Sequence, residues 1–222
     1  MVGGIALYKS VVVKLIRLPK TKYRKILENS PQANKKLPVY AVTYTSNMDK
    51  LKQAKNGDFS SWSGNIKRYG SELIEVSEGF DKKLDCLLHR QDLVNKYSNH
   101  PLHFYNPEAY TVYVVNLDKK VWDYNGFKKQ NNGKLPSNGC YLYVGQTIKT
   151  AEQRFRIHKS KKNGKPHPDS STKVVHPHGE SLNLELMKKH TNGNKYTELD
   201  SLLMERKLAI DLRKLGYATY YN

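Results

Sequence analysis

The alternation of hydrophobic and polar residues predicts a mixed succession of strands and helices. Two apolar runs rich in tyrosine and β-branched residues, 111–115 and 140–145, predict two strands. Antiparallel pairing of these strands would bring tyrosines from both onto one surface. A capping-box sequence at Thr150 then begins a predicted helix. Arg154 and His158 are four residues apart in it and therefore share one face.

The first half of the chain has the pattern of a small α+β unit. Strands are predicted at 8–18, 37–44 and 72–76, helices at 19–28, 47–57 and 81–97, and a loop at 58–64. Prolines at 101 and 107, each after a polar residue, punctuate the chain and predict a boundary. We therefore divide the chain into domains 1–106 and 107–222. The first domain either positions a target or serves as a scaffold for the second.

In the second half, residues 118–138 form a polar insertion between the two tyrosine strands. It is too long for a tight turn, so we expect a loop that projects from the sheet edge. The helix that begins at Thr150 is expected to end near Asn163 and Gly164. Further along, the pattern predicts a third strand at 172–176 and helices at 182–189 and 197–215.

Glu205 stands out in the last predicted helix. The apolar stripe of this helix consists of Leu202, Leu208, Ala209, Leu212 and Leu215. Glu205 falls inside that stripe rather than opposite it. A carboxylate directed at a core is costly unless it is paired, hydrogen-bonded or bound to a cation. Glu198, two turns earlier on nearly the same side, is the competing candidate.

The charge balance favours a polyanionic partner. The 222 residues hold 38 Lys plus Arg against 20 Asp plus Glu, a formal charge of +18. Residues 1–107 hold 18 basic and 9 acidic side chains, and residues 108–222 hold 20 and 11, so both halves carry +9. The excess is not confined to a tail. It favours nucleic acid over neutral small molecules as the partner.

The two cysteines, Cys86 and Cys140, predict neither a disulfide framework nor a cysteine-rich zinc site. No apolar run approaches the length of a membrane span or a signal core. We therefore expect a cytoplasmic protein without a membrane partner. His167, His176 and His178 have the ligand type but not the tight spacing of a zinc site, and we interpret them as loop residues.

The residues of the second half match the needs of phosphodiester hydrolysis. This reaction needs an activated water, neutralisation of negative charge at phosphorus and stabilisation of the leaving oxygen. A glutamate holding one divalent cation, an arginine directed at the phosphate and a phenol or imidazole handling protons would suffice.

The order of these residues resembles the GIY-YIG nuclease family. The resemblance covers about residues 109–217. It rests on Thr111-Val112-Tyr113, Tyr143-Val144-Gly145-Gln146-Thr147, Arg154-Phe155-Arg156-Ile157-His158 and Glu205-Arg206-Lys207-Leu208-Ala209. Thr111 and Val112 stand where the family has Gly-Ile. Tyr217 stands where many members have an asparagine, and Asn222 is the nearest substitute.

The resemblance implies a compact α+β domain with a small antiparallel sheet flanked by helices, and metal-dependent cleavage of double-stranded DNA. It implies that Tyr113 is the general base or positions the water, and that Tyr143 assists it. Arg154 would hold the phosphate and His158 would hydrogen-bond near the nucleophile or Tyr113. Glu205 would bind Mg²⁺ or Mn²⁺. The resemblance is compatible with a restriction role and with a role in a mobile element, and it does not distinguish between them.

We expect lysines and arginines near this site to contact the DNA backbone. The candidates are Lys128, Lys129, Lys134, Lys149, Arg156 and Lys159. Two other functions stay open. One is a nucleic-acid-binding protein that keeps the GIY-YIG fold without hydrolysis, and the other is an RNA-directed or ribosome-associated basic protein.

Overall fold

The computed structural model describes residues 7–16, 18–28, 37–104 and 108–221. The chain divides into two compact units, Met1–Tyr105 and Asn106–Asn222. Each unit contains a four-stranded sheet flanked by helices, so the predicted α+β class is confirmed. The proposed boundary residues Asn106 and Pro107, and Asn222, lie outside the described residues.

The N-terminal unit is built around its first strand. Its elements are β1 Lys9–Leu15, α1 Lys20–Glu28, β2 Val39–Thr45, α2 Met48–Lys55, α3 Gly64–Tyr69, β3 Gly70–Val76, α4 Lys83–Lys96 and β4 Leu102–His103. The strand order is β3-β1-β2-β4. Val11 and Val13 pack against one cluster and Val12 against another, and all three are fully buried. The unbroken valine run is thus explained by burial of both faces of β1.

The C-terminal unit follows the same plan with different connections. Its elements are β5 Thr111–Leu117, α5 Asn125–Gln130, β6 Tyr141–Thr147, α6 Ala151–Lys159, β7 Lys161–Lys162, β8 Lys165–Pro166, α7 Val175–His178, β9 Gly179–Leu182, α8 Leu184–His190, α9 Glu198–Lys214 and β10 Ala218–Tyr220. Its sheet has the order β10-β6-β5-β9. The two tyrosine strands, β5 and β6, pair antiparallel as predicted. The sheet is nevertheless mixed rather than purely antiparallel, because β10 pairs parallel with β6.

The two faces of this sheet are covered by different helices. Tyr113 and Tyr143 lie in a buried cluster with α5 to α7 residues such as Phe127 and Val175. Val112 and Val144 lie in a second cluster with α8 and α9 residues, including Leu208. Neighbouring residues of one strand therefore contribute to opposite layers, as alternation along a strand requires.

The insertion between the tyrosine strands is not a projecting loop, so that prediction was wrong. It forms a 3₁₀ turn at Lys119–Asp123 followed by α5, and Val121 and Phe127 are fully buried. Asn131 then fastens the segment to β10: its Nδ2 donates to Thr219 O at 3.0 Å, and its Oδ1 accepts from Thr219 N at 2.8 Å. Burial of two apolar side chains and the hydrogen bonds of one side-chain amide thus hold a mostly polar segment against the core.

The predicted strand at 172–176 was also wrong. This stretch contains a turn and the start of α7, with the His178 N–H donating to Val174 O at 3.0 Å. Val174 and Val175 are instead buried in the apolar cluster on the α6 side of the sheet. The strand that pairs with β5 follows at β9. Helix α6 begins with the predicted capping box at Thr150 but ends at Lys159, before Asn163.

Candidate functional site

Tyr113 and His158 form the centre of the site. Tyr113 comes from the middle of β5, and His158 from the last turn of α6, which packs against that face of the sheet. Both side chains are fully buried. The Tyr113 Oη lies 2.8 Å from His158 Nε2. The structure therefore joins two residues that are 45 positions apart in the sequence.

Tyr143 lies beside this pair on the neighbouring strand. Tyr143 is opposite Val115 in the β5–β6 register, and Tyr113 is opposite Gly145. The Tyr143 ring centroid is 6.1 Å from that of Tyr113 and 6.0 Å from that of His158. Both phenols thus lie on one face, as antiparallel pairing predicts.

Arg154 precedes His158 by one turn of α6 and is the half-exposed member of the group. Its guanidinium acts on the Tyr113 phenol through its charge and a hydrogen bond. Its Nε is buried and has no hydrogen-bond partner. Because the residue is only partly buried, its guanidinium can donate hydrogen bonds to an oxyanion that approaches from solvent.

Glu205 reaches the site from the other layer. It lies on α9, which packs against the opposite face of the sheet, and it is only 3 % exposed. Its negative charge nevertheless raises the pKa of both Tyr113 and Tyr143. The β10 strand pairs with residues 141–143 of β6, so the edge of β6 from residue 144 onward is not covered by β10. The carboxylate and the phenols therefore belong to one electrostatic environment.

Burial dominates the proton affinities of this group. Burial raises the pKa of Tyr113 to about 12, and the charge and hydrogen bond of Arg154 oppose that rise. Burial likewise raises the pKa of Tyr143 well above its usual value. Burial, together with the charge of Arg154 and the neighbouring His176, lowers the pKa of His158 to about 4. Near neutral pH all three groups are uncharged.

The oxygen ligands at this site suit a divalent cation that binds together with a substrate phosphate. Within the described residues, no group of three or more His, Cys, Asp or Glu side chains is arranged to hold a metal ion. Mg²⁺ is commonly held by one or two carboxylates together with waters and substrate phosphates. Glu205 meets that requirement. Gln146 adds an oxygen on the α9 side, because it pairs with Val112 and its Oε1 is buried without a hydrogen-bond partner.

The six basic residues expected to contact DNA do not form one patch. Lys149 and Arg156 are exposed at the start and on the outer side of α6. The Lys159 Nζ is occupied, since it donates to His176 O at 2.9 Å and Gly179 O at 2.8 Å. Lys128 and Lys129 lie at the end of α5.

Lys134 lies near the far end of α9. It lines a hollow at the C-terminal end of this helix, beside Arg213 and Gly216. The last residue of the helix is about 14 Å along its axis from Glu205, at about 1.5 Å per residue.

A basic hairpin beside the site was missed by the sequence patterning. Strands β7 and β8 pair directly after α6, around a turn at Asn163 and Gly164 with φ of 53° and 74°. Positive φ at both positions is the backbone of a type I′ hairpin, and Asn-Gly is its preferred sequence. The hairpin exposes Lys161, Lys162 and Lys165. The Asn-Gly pair was the available signal, but we interpreted it as the end of the helix.

The three histidines considered as zinc ligands have separate partners. The His167 Nδ1 accepts from the Asp169 N–H at 3.1 Å, and the His176 Nδ1 donates to His158 O at 2.8 Å. The His178 Nδ1 lies 3.2 Å from Asp118 Oδ1. Each ring therefore stabilises a different part of the segment after α6.

Comparison with known proteins gives no match: no protein-family model, no curated protein and no solved structure matches the chain. Across the described ranges, no helix has both the length and the hydrophobicity needed to cross a bilayer. Functional interpretation therefore depends on the motif order and on the geometry of the site.

Proposed function

We propose that residues 108–221 form a metal-dependent endonuclease of the GIY-YIG type, which hydrolyses phosphodiester bonds in DNA. One observation carries the proposal: the Tyr113 Oη lies 2.8 Å from His158 Nε2. Arg154 and Glu205 both act electrostatically on this same phenol. The general-base candidate Tyr113 is thus the common neighbour of a phosphate-binding cation and a metal-binding carboxylate.

Each side chain has a role that follows from its position. Arg154, half-exposed, binds the phosphate that approaches from solvent and neutralises its charge. Tyr113 orients the attacking water and, as phenolate, takes its proton. Tyr143 stabilises that phenolate, because its hydrogen bond lowers the pKa of Tyr113. A divalent cation at Glu205 would supply further neutralisation of charge on the phosphate.

DNA is the proposed polyanion because both halves of the chain carry an excess of positive charge, including the half that holds the site. The hairpin lysines follow α6 directly, and no ion pair neutralises them in the part of the chain that the structure describes. Phosphate contacts of this kind position a duplex without reading its sequence. We propose that the N-terminal unit adds recognition, since α2 and α3 end in the exposed pairs Lys52, Lys55 and Lys67, Arg68.

The second candidate is a DNA-binding protein that keeps this fold without hydrolysing its ligand. Two observations favour it. Tyr113 and Tyr143 are 0 % and 1 % exposed, so water has little access to either phenol. Tyr217 also stands where many family members have an asparagine.

Cleavage of supercoiled plasmid distinguishes the two functions. The full chain is incubated with and without Mg²⁺, beside Glu205→Gln, Tyr113→Phe and the matched control Glu198→Gln on the same helix. We expect metal-dependent nicking by the wild type and Glu198→Gln, and a loss of at least about 100-fold in the other two. Circular dichroism confirms that each variant is folded. Retarded but uncut plasmid with every metal tested would identify the binding protein instead.

A further inference from the structure

The hydrogen bonds at His158 determine which of its ring nitrogens carries the proton. The backbone N–H of Ser171 donates to Nδ1 at 2.8 Å. The opposite nitrogen, Nε2, lies 2.8 Å from Tyr113 Oη. A neutral imidazole has one N–H and one lone pair, and the Nδ1 lone pair is already used by Ser171. The proton therefore lies on Nε2, and His158 donates to Tyr113.

We propose that the Ser171 N–H is a positioning group that fixes His158 as a hydrogen-bond donor to Tyr113 and prevents it from acting as the base that deprotonates the phenol. This rests on the proposed nuclease function for its role in catalysis, but the tautomer itself does not. To accept the Tyr113 proton, Nε2 would need a free lone pair. The proton would then have to move to Nδ1, where it would face the Ser171 N–H.

The surroundings of His158 also disfavour its doubly protonated form. The ring is fully buried between β5, β6 and α6. Arg154 on its own helix and His176 on α7 are the charged and titratable groups that oppose a positive charge there. An imidazolium formed by taking the phenol proton would have the Tyr113 phenolate as its counter-charge, but both charges would be buried and the Arg154 cation would oppose the imidazolium.

The surroundings of the Tyr113 phenol, in contrast, favour its charged form. The Tyr113 Oη lies within reach of the His158 Nε2–H, and Arg154 and Tyr143 are further donors that lower the pKa of the same phenol. Such donors stabilise an oxyanion more than a neutral hydroxyl. Ionisation then breaks the Tyr113 O–H bond, and its proton goes to water. The phenolate takes a proton from the attacking water as the new O–P bond forms. The P–O bond to the leaving group breaks, and the leaving oxygen takes up from solvent the equivalent of the proton that Tyr113 released.

The segment that supplies the amide is held by its own contacts. The Asp169 N–H donates to the His167 ring, and the His176 N–H donates to Ser171 O at 2.9 Å. The His176 Nδ1 donates in turn to the carbonyl of His158. The ring and the backbone of His158 are thus both hydrogen-bonded to residues 171–176. These contacts keep the Ser171 N–H aligned with the imidazole.

Long-range ¹H–¹⁵N correlation spectra of the histidine rings test the tautomer directly in the full chain. We expect a pyridine-like shift for His158 Nδ1 and a pyrrole-like shift for Nε2, unchanged between pH 6 and 8. The reverse pattern would overturn the proposal. This readout needs no cleavage activity, so it separates failure of this inference from failure of the proposed function.

Two substitutions at the same position isolate the backbone group. Ser171→Pro removes the N–H, and Ser171→Ala keeps it as a matched control. We expect the His158 shifts to move toward tautomer averaging in Ser171→Pro and to stay in place in Ser171→Ala. Equal shifts in both variants would mean that Ser171 has only a structural role. If the proline variant does not fold, the wild-type spectrum decides alone.

Replacing the ring itself separates donor from base. His158→Gln offers an N–H donor near the Nε2 position but cannot take a proton, whereas His158→Leu offers neither. We expect kcat to fall by about 10-fold in His158→Gln and by about 100-fold or more in His158→Leu, with KM little changed. Equal losses in the two variants would identify His158 as a base and overturn the assignment.

Discussion

The phenol of Tyr113 lies against the backbone of Gly145, its partner across the β5–β6 pair. A methyl group on Gly145 would lie 2.8 Å from the Tyr113 Oη and 2.6 Å from Cε1 of Tyr143. Both distances are shorter than non-bonded contacts allow. Glycine at this position is therefore a requirement of the site, because it leaves the space that the two rings occupy.

Gly145→Ala should displace the Tyr113 ring. We expect a loss of about 1–3 kcal/mol in the free energy of unfolding from overpacking, and a cleavage rate about 100-fold lower because the phenol is misplaced. Urea denaturation and plasmid nicking measure the two effects. In a Tyr113→Val background the part of the stability penalty caused by the Tyr113 ring should be lost, while the contact with Tyr143 remains. A penalty that does not decrease there would contradict the proposed clash with Tyr113.

The pH dependence of cleavage should reflect a phenol and not an imidazole. Burial raises the pKa of Tyr113 to about 12, so the phenolate fraction grows about tenfold per pH unit below that value. We expect log kcat/KM to rise with a slope near 1 from pH 6 to 9. Plasmid cleavage assays that are quenched at fixed times and run at constant ionic strength measure this slope. A flat profile over this range would point to His158 as the base, because its pKa of about 4 leaves it deprotonated throughout.

His158 should make the fold less stable in acid. Its pKa is about 4 in the folded protein and about 6.5 when unfolded, so below pH 6.5 the unfolded chain binds a proton that the folded chain does not. Stability from this residue is therefore lost as pH falls from about 6.5 to 4, by on the order of 2 kcal/mol. His158→Gln should lack that component. Parallel denaturation curves for the two proteins over this range would contradict the assigned pKa.

The hairpin lysines should contribute to DNA affinity. Replacing Lys161, Lys162 and Lys165 with glutamine is expected to weaken binding similarly for all sequences. It should also reduce the slope of log K against log salt by about 1 for each phosphate that the variant no longer neutralises. Fluorescence anisotropy across a salt series measures the slope. The triple variant at Lys128, Lys129 and Lys134 is the matched comparison, and a larger effect there would assign DNA to the α5 side instead.

The buried Asn131 should be important for stability. Its side chain pairs with both the N–H and the C=O of Thr219, and Arg213 Nη2 also donates to that C=O at 2.9 Å, so Asn131→Ala leaves the buried Thr219 N–H unsatisfied. We expect a loss of about 1–3 kcal/mol. The neighbouring Asn132 is exposed with φ of 53°, so Asn132→Gly should be nearly neutral. Chemical denaturation of both variants checks the contrast.

Sequence patterning succeeded where a signal was long or chemically distinctive. The valine run of β1, the tyrosine strands and the capping box at Thr150 were all confirmed, and Glu205 proved to be buried as its place in the apolar stripe predicts. The roles of these residues in cleavage stay predictions.

Other features carried too little signal. The α5 segment is fixed by Phe127 and Asn131, two side chains in a polar run, which no periodicity detects. Strand β10 has three residues, fewer than an alternation pattern needs. Ser171 acts through its backbone N–H, a group that every residue except proline possesses, so no side chain marks the position.

The parallel pairing of β10 with β6 has a consequence for biosynthesis. Residues 218–220 are translated after every other element of the sheet, and after the glutamate-bearing helix α9. Until they leave the ribosome, the strand that carries Tyr143 lacks one neighbour, and Asn131 has no Thr219 to bind. The sheet is therefore completed only after residues 218–220 have been synthesised, and the strand that carries Tyr143 gains its second neighbour last.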